Sequence, residues 1–122
     1  MSDHTADLTA VVEGSEGIRV IATIPPGGVA RAHIHVGFEV MLYILQGRVR
    51  HEYGPGLTQV VDNSAGDFIY IEPGVPHEVF NLSETEPVVA VVARSDASEW
   101  EHIVGYDRRT GQAATADAPI RA

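Results

Sequence analysis

The sequence of 122 residues contains no cysteine. Disulfides and thiolate metal sites are therefore excluded, and any metal would have to be held by nitrogen and oxygen ligands. Long apolar runs are also missing, since none approaches the roughly 20 residues that cross a bilayer. The opening stretch MSDHTADLTA lacks the basic start and apolar segment of a signal peptide. We therefore expect a cytoplasmic protein.

Basic residues are scarce. Lysine and arginine together number 8 against 17 acidic residues, which gives a formal net charge of −9. Nucleic acids and anionic membranes select for clusters of positive charge, so this balance argues against both as partners. A small-molecule partner remains open, and even an anionic one is allowed because a local cation can dominate a pocket.

Helical patterns are limited to one or two turns within residues 97–104. The rest of the chain alternates short segments rich in Val, Ile, Phe and Tyr with turn compositions such as PPGG, GPG and EPGVP. This spacing predicts an all-β sandwich or barrel. The predicted strands are 19–24, 29–35, 39–45, 48–53, 59–61, 67–71, 77–82 and 88–94. The predicted barrel covers residues 11–109, between a flexible N-terminus at 1–10 and a flexible C-terminal tail at 110–122.

Two of the predicted strands are apolar on both faces, namely EVMLYIL at 39–45 and VVAVVA at 88–93. A strand of this kind is covered on both faces. Because one small sandwich core covers only one face, the pattern predicts a second subunit, most simply in a twofold homodimer. The alternative is that one of the terminal segments covers the extra face.

The stretch HIHVGFE places two histidines one residue apart and a carboxylate four residues later. In a strand, His33 and His35 project to the same side, so their ring nitrogens can converge on one ion. Glu39 follows a short turn containing Gly37 and can fold back toward the same point. An H-x-H pair alone is weak evidence, because two such histidines are often plain surface residues.

A third histidine, His77, strengthens this interpretation. It follows the turn EPGVP, in which Pro76 restricts Val75 to extended conformations and so fixes the direction of the next side chain. A rigidly held histidine is what a pocket ligand requires. Imidazole and carboxylate groups together suit first-row divalent metals.

With these residues assembled, the chain resembles the cupin superfamily, whose members are small jelly-roll β-barrels. The first family motif, G-x5-H-x-H-x3–4-E-x6-G, is similar to the segment with Gly27, His33, His35, Glu39 and Gly47. The second, G-x5-P-x-G-x2-H-x3-N, is matched by Gly66, Gly74, His77 and Asn81. The resemblance implies an all-β, cupin-type jelly-roll barrel in a single domain.

The resemblance also implies a divalent transition metal (Fe, Mn, Ni, Cu, Co or Zn) bound inside the barrel. Its ligands would be His33, His35, His77 and Glu39. Such a site leaves positions open for substrate, which is the arrangement of catalytic rather than structural metal sites. The implied function is a metal-dependent enzyme acting on a small organic molecule, as a dioxygenase-type oxidoreductase. The alternatives are a cupin isomerase, cyclase or lyase, or a non-catalytic cupin that binds a metal, sugar or metabolite.

The chain departs from the family pattern in two places. Seven residues separate Glu39 from Gly47, where the pattern has six, so counting back from Gly47 places Val40 at the carboxylate position. Because a one-residue slip moves a side chain to the other face of a sheet, Glu39 needs a bulge near residues 37–39 to reach the metal. Glu72 replaces the first proline of the second motif, with little expected effect on His77.

Several other residues have predicted roles. If Glu39 is not a ligand, Glu39 and His51 are the candidate general bases. His51 and Glu52 lie beside Arg48 and Arg50 in RVRHEY, where a solvated set of cross-strand ion pairs is expected. Asn81 is expected to secure a turn. The candidates for binding a substrate carboxylate are Arg19, Arg31 and Arg94. One of four aromatic residues is expected to face the metal: Phe38, Tyr43, Tyr70 or Phe80. Trp100 is expected to pack against the barrel, and His4 and His102 are expected on the surface.

Overall fold

The computed structural model describes residues 7–14, 17–95 and 103–113, with side chains described from residue 21 onward. In these ranges the chain forms strands joined by turns and one short 3-10 turn, Pro55–Leu57. The strands are β1 (Asp7–Gly14), β2 (Gly17–Ile24), β3 (Val29–His35), β4 (Val40–Gln46), β5 (Arg48–Tyr53), β6 (Gln59–Ser64), β7 (Phe68–Ile71), β8 (His77–Asn81), β9 (Val88–Arg94), β10 (Ile103–Asp107) and β11 (Gln112–Ala113).

The strands form two antiparallel sheets. The first has five strands in the order β1-β2-β9-β4-β7, and the second has six in the order β11-β10-β3-β8-β5-β6. Neighbours in a sheet are mostly distant in sequence, as in the pairing of Ile44 with Ala90 or of Val49 with Asn81. The all-β, jelly-roll prediction is confirmed.

The hydrophobic core lies between the two sheets. Alternation along β4, β7 and β9 sends every second residue inward, and these inward residues are mainly branched aliphatics that fit a pleated surface. Each such side chain contributes about 1.5–3 kcal/mol when it leaves water. One core cluster contains Phe38, Val40, Ile71, Val92 and Ile103, and the other contains Ile24, Ile44, Val49 and Val88.

Asn81, the last residue of β8, connects two neighbouring chain segments through hydrogen bonds of its side chain. Its side-chain Nδ2 group lies 2.8–3.1 Å from the carbonyl oxygens of Ile24, Pro25 and Glu86, and its Oδ1 accepts from the Ser83 amide. Asn81 is therefore a structural residue, as the sequence predicted.

Gly47, between β4 and β5, is required by its backbone. Its φ is +96°, and a β-carbon there would lie 2.9 Å from the carbonyl oxygen of Pro87. A larger residue would be both strained and too close to a neighbouring backbone. The tight turn fixes where β5 starts relative to β9.

The structure adds features that the sequence did not predict. Strand β1 begins at Asp7, within the segment expected to be flexible, and β10 and β11 were not predicted. Residues 103 and 104, the last two of the expected helical turn at 97–104, belong to β10, and the rest of that turn lies outside the described ranges. His4, Trp100 and His102 also lie outside them. No helix in the described part of the chain could span a membrane. The cytoplasmic location stays a prediction.

Candidate metal centre

Strand β3 carries two of the three candidate ligands, and a bulge aims them into the barrel. Ala30 pairs with Val79 and His33 with His77, so that two residues, Arg31 and Ala32, lie opposite one. The extra residue lets both Ala30 and His33 face inward although they are three positions apart. This bulge lies on the histidine strand, whereas the sequence suggested one near residues 37–39.

The turn before β8 holds the third candidate, His77, against β3. The Gly74 amide donates a hydrogen bond to the His35 carbonyl oxygen at 2.9 Å, and the Gly54 amide donates to the Pro76 carbonyl oxygen at 3.0 Å. The turn is thus attached on both sides. As a result His77 lies directly across the sheet from His33.

The three histidines form one cluster. One ring nitrogen from each of His33, His35 and His77 lies within 4.8 Å of the others. The ring centroids are 4.3–4.9 Å apart, and His35 and His77 are buried. Three nitrogen donors this close can share one ion at ordinary metal–imidazole distances of about 2.0–2.1 Å.

Hydrogen bonds select the ring nitrogens that could bind a metal. Nδ1 of His33 contacts the Arg31 carbonyl oxygen, and Nδ1 of His77 lies 3.1 Å from the Val75 carbonyl oxygen. A carbonyl oxygen can only accept, so both Nδ1 atoms carry the proton and each Nε2 keeps its lone pair. Such backbone partners commonly orient metal-binding histidines. Nδ1 of His35 is buried with no hydrogen-bond partner among the described residues, and either coordination to a metal ion or a hydrogen bond to a molecule bound there could satisfy this atom.

The electrostatics of the cluster also suit a metal. Burial lowers the pKa of His33 and, much more strongly, that of His77. Burial lowers the pKa of His35 to about 3, helped by the nearby His33, Arg94 and His51. These imidazoles are therefore neutral at physiological pH, which is the form that binds metal ions.

Glu39 lies outside this cluster. It is exposed, and its Oε2 accepts a hydrogen bond from the Tyr70 hydroxyl at 2.6 Å. Its neighbours Phe38 and Val40 are 4% exposed and belong to the core, so strand alternation points Glu39 outward. The extra residue before Gly47 therefore leaves Val40, rather than a carboxylate, on the inner face. Glu39 as a ligand stays a prediction, and this arrangement does not support it.

His51 is a buried neighbour of the cluster whose position sequence reasoning missed. It is 3% exposed, and its ring centroid lies 5.5 Å from that of His77. Glu52 instead points outward and forms ion pairs with Arg108, and Arg50 pairs with Asp62. The sequence RVRHEY could have predicted this position. Its charged residues alternate along the strand and share one face, which places His51 on the opposite face.

The other candidates occupy different surroundings. Arg94 is 8% exposed on the inner face of β9, whereas Arg31 is exposed at the bulge, and the Arg19 side chain lies outside the described part of the chain. Of the four aromatic candidates, Phe38 is the one beside the cluster, with its ring centroid 4.9 Å from that of His35. Tyr70 is exposed.

A family model described as "Cupin domain" matches residues 20–94 of this sequence. The chain belongs to the cupin domain family. No curated protein matches the sequence. The match covers the second half of β2 and all of β3 to β9, and hence all three clustered histidines.

Solved structures share this cupin fold. An uncharacterised conserved protein from Klebsiella pneumoniae with a double-stranded β-helix domain is 21% identical, with a TM-score of 0.70 over 80% of this chain and 78% of that one. A predicted oxalate decarboxylase from Thermotoga maritima is 18% identical, with a TM-score of 0.65 over 74% and 79%. A recombinant oxalate oxidase in complex with glycolate is 18% identical, with a TM-score of 0.69 over 85% of this chain and 56% of that one. At these identities the likeness extends to the fold alone.

Proposed function

We propose that His33, His35 and His77 bind one divalent transition metal, and that this cupin is a metal-dependent enzyme acting on a small organic molecule. Dioxygenase-type oxidation is the reaction class we propose. The observation that carries the proposal is the convergence of three neutral nitrogen donors within 4.8 Å in the barrel. A three-histidine face leaves coordination positions open for a substrate.

The chain's own residues supply binding and orientation. Backbone carbonyl oxygens of Arg31 and Val75 fix the rings of His33 and His77, and Phe38 packs beside His35. When bound, the metal supplies a Lewis-acidic centre and, if it is redox-active, a path for electrons. The oxalate oxidase and predicted oxalate decarboxylase among the structural neighbours support small-molecule chemistry in a barrel of this shape.

Metal content tests the proposal. The protein is purified without a nickel column, and its metals are measured by elemental analysis alongside His77→Ala. Glu52→Gln is the matched control, because Glu52 lies on the neighbouring strand β5 and its carboxylate pairs with Arg108. About one equivalent of metal in the wild type and control, with binding weakened at least about a hundredfold in His77→Ala, is expected.

The identity of the metal then separates the candidate functions. Iron, manganese, nickel or copper would justify screens of oxygen uptake with small organic substrates. Zinc would favour the isomerase, cyclase or lyase alternative, or non-catalytic binding. A wild-type protein that holds no metal, even after incubation with each ion, would refute the metalloenzyme proposal.

We also propose that two copies associate through the outer face of the five-stranded sheet. Large apolar side chains are exposed there on adjacent strands: Met41 (49%), Leu45 (50%), Phe68 (71%) and Tyr70 (52%). Met41 pairs with Tyr70, and Tyr43 pairs with Phe68, so these residues form one continuous patch. Patches of this kind mark interaction surfaces.

A further inference from the structure

His51 is a buried polar group for which the fold provides no use. It lies on β5, two residues from Tyr53, which pairs directly with His77. Its Nδ1 is buried and has no hydrogen-bond partner among the described residues. Burying an unpartnered polar atom is unfavourable, because the atom loses its hydrogen bonds to water and gains none in the protein. Asn81, by contrast, is buried on the next strand with its amide group satisfied.

The position of His51 connects it to the proposed metal centre. Its ring centroid lies 5.5 Å from that of His77, on the side of β8 opposite β3. It is not one of the three residues whose donor atoms converge. It therefore borders the site without belonging to the ligand set, which is where a group that contacts a metal-bound molecule would lie.

The charges around the cluster indicate what kind of molecule that is. The three proposed ligands are neutral. The carboxylate of Glu78 acts on His33 but is held in an ion pair with Arg108, and no aspartate or glutamate is among the buried side chains of the described residues. The one permanently charged side chain in that buried set is Arg94, whose positive charge acts on His35. A divalent ion with neutral ligands keeps its full charge, so an anion is favoured as the additional ligand.

We propose that His51 donates a hydrogen bond to an anionic group bound at the open side of the metal, and that the substrates of this site are small organic anions. The inference rests on the proposed metal site. A neutral imidazole always offers one N–H donor, and a hydrogen bond to an anion is stronger than one between neutral groups. The bond would also give the buried ring the partner it lacks, so His51 is a positioning residue for the substrate.

Azide binding to the cobalt-loaded protein tests this role. Cobalt content, the change in visible absorption on azide titration and the thermal midpoint are measured for the wild type, His51→Leu and His51→Gln. Tyr53→Phe is the matched control, since its ring lies on the same strand, 6.2 Å from that of His51. We expect His51→Leu to keep cobalt but bind azide at least about tenfold more weakly. His51→Gln, which keeps a donor, should recover most of the affinity, and Tyr53→Phe should match the wild type.

Stability separates positioning from a structural role. Leucine removes an unpartnered buried nitrogen, so its thermal midpoint should equal or exceed that of the wild type. Unchanged azide affinity in His51→Leu would overturn the inference. Loss of cobalt would make His51 a ligand, and failure to fold would make it structural; either result also overturns it. A wild-type protein that binds no cobalt would instead refute the underlying metal site.

Discussion

The two sheets of this barrel have the same architecture but opposite characters. The inner face of the six-stranded sheet carries the buried polar residues His35, His51, His77 and Asn81. The inner face of the five-stranded sheet is aliphatic, with Val40, Ile44, Ile71, Val88, Ala90 and Val92 buried. Arg94, at the end of β9, is the exception. One sheet holds the candidate chemistry, and the other supplies the apolar wall behind it.

The outer faces of the two sheets also differ: that of the six-stranded sheet is charged, and that of the five-stranded sheet is apolar. On the six-stranded sheet, Arg108 bridges Glu52 and Glu78, and Arg50 pairs with Asp62, so this face is solvated. On the five-stranded sheet the outer face exposes Met41, Phe68 and Tyr70. The outer face of the six-stranded sheet is polar and can be exposed to solvent. The five-stranded sheet is apolar on both faces, so its outer face has to be buried against another surface. The proposed substrate site therefore lies on one sheet, and the proposed subunit interface lies on the other.

The largest effect should come from placing charge on the apolar outer face. Phe68→Lys would introduce two lysines into a twofold interface, because each substitution occurs in both subunits. We expect dimerisation to weaken by at least about a hundredfold. Sedimentation velocity measures the association over a range of protein concentrations.

The control lies on the other sheet. Val60 is 54% exposed and pairs with Glu52, whose side chain belongs to the solvated outer face. Val60→Lys should therefore leave the oligomeric state unchanged. If the wild type is a monomer at every concentration, or if Val60→Lys is as disruptive as Phe68→Lys, the proposed interface is refuted.

The second prediction concerns the buried polar residues of the six-stranded sheet. Asn81→Ala leaves the carbonyl oxygens of Ile24, Pro25 and Glu86 without their side-chain partner. We expect a loss of about 2–4 kcal/mol in the free energy of unfolding, measured by urea denaturation. His51→Leu should instead be at least as stable as the wild type, because it removes an unpartnered buried nitrogen. Equal losses in both variants would mean that His51, like Asn81, is kept for stability.

The third prediction is a pH dependence carried by the same sheet. Burial lowers the pKa of His51 to about 4 and that of His35 to about 3, from an ordinary value of 6.5. Between pH 6.5 and 4 the unfolded chain therefore binds more protons than the folded one, so the free energy of unfolding falls as the pH falls. Each such histidine contributes up to about 1.4 kcal/mol per pH unit.

Urea denaturation of the metal-free protein across this pH window measures the slope. As the pH falls, the free energy of unfolding should decrease less steeply in His51→Leu than in the wild type. The difference in slope should correspond to about one bound proton. Tyr53→Phe provides the control, because it lies on the same strand and leaves every histidine in place. An identical slope in His51→Leu and the wild type would show that the burial of His51 has no energetic consequence.

Local patterns predicted much of this fold. Strand bounds for β3, β5 and β9 agree with the prediction to the residue, because turn compositions at both ends delimit apolar alternation. Strands β10 and β11 were not predicted, because their segments lack apolar alternation with turn residues at both ends. Strand β10 is defined by long-range pairing with β3, such as Ile103 with His35, which a local pattern does not contain. Strand β11 then pairs with β10.

The candidate site was predicted only in part for the same reason. His33, His35 and His77 follow from spacing within two short segments, and the structure brings them together. The bulge at Arg31 and Ala32 depends on the register between β3 and β8, which are far apart in sequence. The proximity of His51 to His77 likewise depends on pairing between β5 and β8. Sequence separates these strands, and only the fold places them side by side.

The smallest effect is expected at Glu39, the predicted ligand that the structure leaves at the sheet surface. Glu39→Gln should retain the metal content of the wild type, because its carboxylate contacts the Tyr70 hydroxyl and not the histidine cluster. The hydrogen bond to Glu39 raises the pKa of Tyr70, so the variant should return this pKa toward its ordinary value, as a spectrophotometric tyrosinate titration would detect. Loss of metal in Glu39→Gln, with the protein still folded, would instead restore Glu39 as a ligand. That result would require residues 36–39 to rearrange on metal binding, since strand alternation otherwise keeps Val40 inside and Glu39 outside.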